Sequence, residues 1–72
     1  EVVVRGDVEA ERFAALHYRA GALVAVDAVN SPADYLAVRK ALAKGLTVPA
    51  DRAADLDRPL KDLLVAPSFT GP

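Results

Sequence analysis

The side chain best suited to acid–base work in this sequence is its single histidine, His17. Imidazole alone has an ordinary pKa close to neutrality. Asp27 is the second candidate, a carboxylate set in the apolar run Ala25-Val26-Asp27-Ala28-Val29. On paired strands the two would meet, and Asp27 would orient His17 as a base. A working dyad also needs a nucleophile or a substrate pocket, and the only nearby serine, Ser31, reads as a helix cap. His17 is therefore expected at a solvent-facing or interface position of a strand. A carboxylate among apolar neighbours must be solvated or hydrogen-bonded, so Asp27 is expected to accept from backbone N–H groups or to pair with an arginine. Asn30 is expected to make a similar local contact as the chain turns.

Arg39, Lys40 and Lys44 give one side of a helix a positive character, and Lys61 extends it. They form either an ordinary solvated face or a docking patch for an acidic partner, where charge mainly steers encounter. The tripeptide Arg5-Gly6-Asp7 spells an integrin-recognition motif, a three-residue match that carries little information. No Gly-x-Gly-x-x-Gly and no phosphate loop occur, so the chain itself offers no nucleotide or flavin motif. With no cysteine and one histidine, Cys-based zinc sites and multi-His sites are ruled out.

The elements that must hold these residues are few. Seventy-two residues make one domain, 1–72. A chain this short buries only about 60% of its unfolded surface. Without disulfides or metal it is expected to gain stability from more protein, either covalent neighbours or a second chain. It starts at Glu1 within an apolar strand, which suggests a piece cut short at its N-terminal side. The net charge is −1 and the aromatics are Phe13, Tyr18, Tyr35 and Phe69. That is neither basic enough for a phosphate backbone nor aromatic enough for base stacking. No apolar run approaches the ~20 residues of a membrane span, and no signal peptide is visible. Lack of cysteine is compatible with the cytoplasm.

The pattern predicts an α+β fold: a three-stranded antiparallel sheet over about 2–7, 13–19 and 22–30, then one main helix over 31–44 and short C-terminal helical turns. Ala20-Gly21 is the hairpin turn, expected as type I with only Gly21 left-handed, because alanine tolerates positive φ poorly. Ser31 is the expected N-cap, Pro32 suits the first helical position, and Asp34 approximates a capping box. Tyr35, Val38 and Leu42 form the expected apolar stripe, with Ala41 beside it. Gly45 is a left-handed stop onto which Leu46 folds back. Helical turns are expected over Ala50 to Leu56 and over Pro59 to Leu64, and Ala66 to Pro72 is expected to be extended or frayed.

The segment Leu23-Val24-Ala25-Val26-Asp27-Ala28-Val29-Asn30-Ser31-Pro32-Ala33-Asp34-Tyr35 resembles the Val-Asp-Ala-Val-Asn-x-Pro-x-Asp-Phe pattern of oxygenase-coupled ferredoxin reductases, in their C-terminal domain. Tyr35 stands where the pattern has phenylalanine. Val3-Val4-Arg5-Gly6-Asp7, Phe13 with the hairpin, and Asp57-Arg58-Pro59-Leu60-Lys61-Asp62-Leu63-Leu64 extend the likeness over nearly the whole chain. The family's domain opens with a further aromatic-rich strand that this chain lacks. The resemblance implies a parent flavoenzyme that takes a hydride from NADH or NADPH onto FAD. It then passes single electrons to an iron–sulfur ferredoxin. It implies FAD- and NAD-binding domains of the same protein as partners, with Arg39, Lys40, Lys44 and Lys61 as a ferredoxin-docking patch. Asp27, Asn30, Ser31 and Pro32 become determinants of the sheet-to-helix turn, and no catalytic residue maps onto the chain. The competing expectation is a stand-alone interaction or dimerisation module.

Overall fold

The computed structural model describes residues 1–66. The strands are β1 (Val2–Asp7), β2 (Arg12–Arg19) and β3 (Ala22–Val29), followed by helix α1 (Pro32–Lys44) and a single 3-10 turn, Leu60–Asp62. The sheet is antiparallel in the order β1-β2-β3. The architecture is the expected α+β one, with boundaries shifted by a residue. The tail beyond position 66 lies outside the described residues.

Alternation decides the faces. Ala14, Leu16 and Tyr18 of β2 point to the side covered by α1 and are buried. On β3 the parity changes. His17 pairs with Ala25 but Tyr18 pairs with Leu23, so Val24 is left over as a bulge. The extra residue brings Leu23 inward beside Val26 and Ala28, as a bulge re-aims a strand. The hairpin turn corrects the expectation of type I. Both Ala20 (φ 52°) and Gly21 (φ 82°) are left-handed, the pattern of a type I′ turn. Its twist matches that of the strands it joins, and this outweighs the steric cost at alanine.

Helix α1 buries Val38 and Ala41. Tyr35 and Leu42, expected in the stripe, are exposed, because the sheet meets the helix along Val38 and Ala41 with Ala37 and Asp34 on its flanks. At its C-terminus Gly45 is left-handed (φ 70°), with Leu46 N–H donating to the Ala41 carbonyl at 2.8 Å and Gly45 N–H to Leu42 at 3.3 Å. That pair of bonds is the Schellman arrangement. Ser31 sits at the N-cap but makes no side-chain cap bond, and Asp34 is turned to Arg5 at 3.3 Å. The expected capping box is therefore absent.

The segment after Gly45 completes the core. Val48, Ala53, Leu60 and Leu63 pack with Ala14, Leu16, Tyr18, Leu23 and Val38. Thr47 and Val65 pair through two backbone bonds of 2.8 and 2.9 Å, and the Tyr18 hydroxyl donates to the Val48 carbonyl at 2.7 Å. Between them, Arg52 N–H to Pro49 and Asp55 N–H to Arg52 close successive turns, in the stretch where a short helical turn was expected.

Candidate functional site

Three groupings of polar side chains emerge, and they lie on different parts of the molecule. The first is the basic face. Helix α1 carries Leu36, Arg39 and Lys40 on its outer side, and the turn Leu60–Asp62 delivers Lys61 beside them because Leu60 is anchored in the core. Arg39, Lys40 and Lys61 share an open groove with Ala33, Leu36 and Ala37. Arg39 also lies over the Tyr35 ring, 5.9 Å from its centroid, within cation–π range. Lys44, expected in the same patch, is one helical turn further on and does not line the groove. Among the described residues no carboxylate forms an ion pair with any of these four cations; the pairs are Arg5–Asp34 and His17–Asp27. The groove thus gathers three cations without a direct ion pair among the described residues, around Ala33, Leu36 and Ala37, on a chain whose net charge is −1.

The second grouping is His17 with Asp27, on the sheet face away from α1. The imidazole Nε2 lies 2.9 Å from Asp27 Oδ2. Asp27 pairs with His17, not with backbone N–H groups or an arginine as expected, and its side chain is 83% exposed. The cross-strand partners of His17 are Val2 and Ala25, and that of Asp27 is Ala15. None of them is a nucleophile. Among its register partners the pair meets no reacting group, and it forms a solvent-exposed hydrogen bond.

The third grouping was not anticipated. Arg5 is 4% exposed. Its guanidinium donates to the carbonyls of Ala53 (3.2 Å), Asp55 (2.6 Å) and Arg58 (2.6 Å), as well as to Asp34. A planar fork with five donors suits four acceptors in different directions. A charged residue after Val2-Val3-Val4 was the available signal. It is the same anomaly that singled out Asp27, yet Arg5 drew notice only as part of a tripeptide. With its arginine buried, that tripeptide presents no recognition surface.

The sheet-to-helix turn has its own geometry. Asn30 is left-handed (φ 51°) and donates through Nδ2 to the Glu11 carbonyl at 2.8 Å. The contact joins this turn to the β1–β2 loop and is not the local one expected. Asn30, Ser31 and Pro32 line a shallow concavity with Ala28 and Tyr35, whereas Asp27 points to the opposite sheet face. Gly6 allows β1 to close on β2: a Cβ there would lie 2.5 Å from the Arg12 carbonyl oxygen. No cluster of three or more metal-ligating side chains occurs among the described residues, and no described helix is long and apolar enough to cross a membrane.

Comparison with known proteins gives a consistent result. The family model described as "Reductase C-terminal" matches residues 1–64. The 5,5'-dehydrodivanillate O-demethylase ferredoxin reductase subunit of Sphingobium sp. is 44% identical over 66 residues, 92% of this chain and 16% of that protein. Rhodocoxin reductase of Rhodococcus erythropolis is 39% identical over 59 residues, 82% of this chain and 14% of that protein. The chain thus spans about one sixth of the length of these relatives or less.

Proposed function

The chain belongs to the reductase C-terminal family, and from that premise we propose that it serves as the C-terminal domain of a flavoprotein ferredoxin reductase. The observation that carries this reading is the 44% identity, across 92% of the chain, to a ferredoxin reductase subunit. In such a parent enzyme FAD and NAD(P)H, when bound, would supply the redox chemistry that links a nicotinamide donor to a one-electron iron–sulfur acceptor. This reading puts FAD and NAD(P)H on other domains of the parent polypeptide, since the chain matches only 16% and 14% of the length of its reductase relatives. This domain contributes surface: the groove of Arg39, Lys40 and Lys61, with Lys44 at its margin, is where ferredoxin docks. The turn at Asn30, Ser31 and Pro32 fixes how α1 leaves the sheet, and Asp27 with His17 marks the opposite face. The enzyme works in the cytoplasm, where NAD(P)H is available. The dimerisation reading draws no support from the groove, since two copies apposed groove to groove would bring like charges together.

The test is purification of the intact polypeptide that contains these residues. A flavin absorption spectrum together with NAD(P)H-dependent bleaching of a [2Fe–2S] ferredoxin is the expected result. A flavin-free protein that leaves the ferredoxin oxidised would overturn the reading.

A further inference from the structure

We infer that Leu36 is the apolar anchor of the basic groove, seating on an apolar spot ringed by carboxylates on the partner protein, while Arg39, Lys40 and Lys61 steer that partner into place. The inference rests on the docking role proposed above and adds the chemistry of the occupant. Leu36 is 64% exposed, in contrast to the buried Val38 two residues on. The fold gains little from a leucine there, and Leu36 is the largest apolar side chain lining the groove. It is flanked by Ala33 and Ala37, which keep the groove floor low, and by the three cations on its rim. The only acidic residue of α1, Asp34, pairs with Arg5 at 3.3 Å and does not line the groove.

The two parts of this surface do separable work. Exposed cations act at long range, are screened by salt and govern association. A central apolar side chain acts only once water is expelled, and so governs dissociation. The matching occupant is an acidic protein surface with an uncharged centre. A second copy apposed groove to groove presents the wrong sign.

The experiment measures association and dissociation of the intact reductase with an acidic [2Fe–2S] ferredoxin as a function of salt, for the parent, Leu36→Ala and the double variant Lys40→Glu/Lys61→Glu. All these side chains are exposed, so the fold is not at stake. Leu36→Ala is expected to raise the dissociation rate on the order of tenfold, the equivalent of losing one exposed leucine's burial, with the salt dependence of association unchanged. The lysine variant is expected to slow association at low salt and flatten its salt dependence, with little change in dissociation. An unchanged dissociation rate in Leu36→Ala, with the lysine variant impaired, overturns the anchor and leaves the docking role standing. Failure of the parent itself to bind overturns the docking role. Hydroxyl-radical footprinting supplies a further arm: Leu36 already protected in the reductase without ferredoxin would show that its own chain covers the groove, and would overturn the inference.

Discussion

At the scale of single residues, Arg5 carries the most. It is a buried charge whose partners are one carboxylate and three backbone carbonyls. Removing one side of such an arrangement strands the other side without water. Arg5→Met is expected to lower unfolding stability by on the order of 3 kcal/mol, read from a denaturant titration. Arg5→Lys is expected to recover little of it, because an ammonium concentrates its donors at one point and cannot reach four separate acceptors. Tyr18 gives a pH signature. Burial, together with the negative charges of Glu1 and Asp51, raises its pKa from 10.0 to about 12. Below pH 10 the phenol is neutral in both folded and unfolded chains and contributes no pH dependence. Between about 10 and 12 the unfolded chain ionises first, so stability falls as pH rises through that interval. Tyr18→Phe is expected to remove this part of the alkaline decline while costing about 1 kcal/mol at neutral pH for the lost bond to Val48. Denaturant titrations on either side of pH 10 would separate the two effects.

At the scale of elements, the hairpin and the helix start are where local chemistry and observed geometry part. The type I′ turn places Ala20 at φ 52°, a conformation that alanine adopts at a cost of roughly 1 kcal/mol and asparagine adopts more readily. Ala20→Asn is expected to raise the melting temperature, corresponding to a gain of about 0.5 kcal/mol. Ser31 shows the converse. Its position fits a cap, but its hydroxyl makes no cap bond, so Ser31→Ala is expected to change stability by less than the roughly 1 kcal/mol typical of a lost cap. The same melting measurement reads both variants.

At the scale of the whole molecule, the stretch after α1 is part of the core and not an appendage. Leu60 and Leu63 are buried against the sheet and α1, and the Arg58 carbonyl is held by Arg5 on β1. These links join the two ends of the described chain, so the sheet and the C-terminal turns are expected to unfold together. Leu60→Ala should cost about 2–5 kcal/mol. Transitions followed by tyrosine fluorescence in a Tyr35→Phe background, which leaves Tyr18 as the sole emitter, and by far-ultraviolet circular dichroism should stay coincident. Separate transitions would show the C-terminal turns to be an independent unit.

What the sequence alone determined is local. Alternation in β1 and β2, Pro32 near the helix start and Gly45 at its end are signals whose physics acts within a few residues. They placed three strands and one helix to within a residue. The motif from Leu23 to Tyr35 also sufficed to identify the family. Tertiary structure decided what depends on which faces meet. The apolar spacing of Tyr35, Val38 and Leu42 could not say where the sheet would touch, and the contact ran through Val38 and Ala41 instead. Asp34 was as good a capping residue as an ion-pair partner until β1 brought Arg5 beside it. The groove also needed the fold: Lys61 joins Arg39 and Lys40 only because Leu60 is buried beneath α1. Long-range burial sets such meetings, and no spacing along the chain encodes the distance between surfaces that fold together.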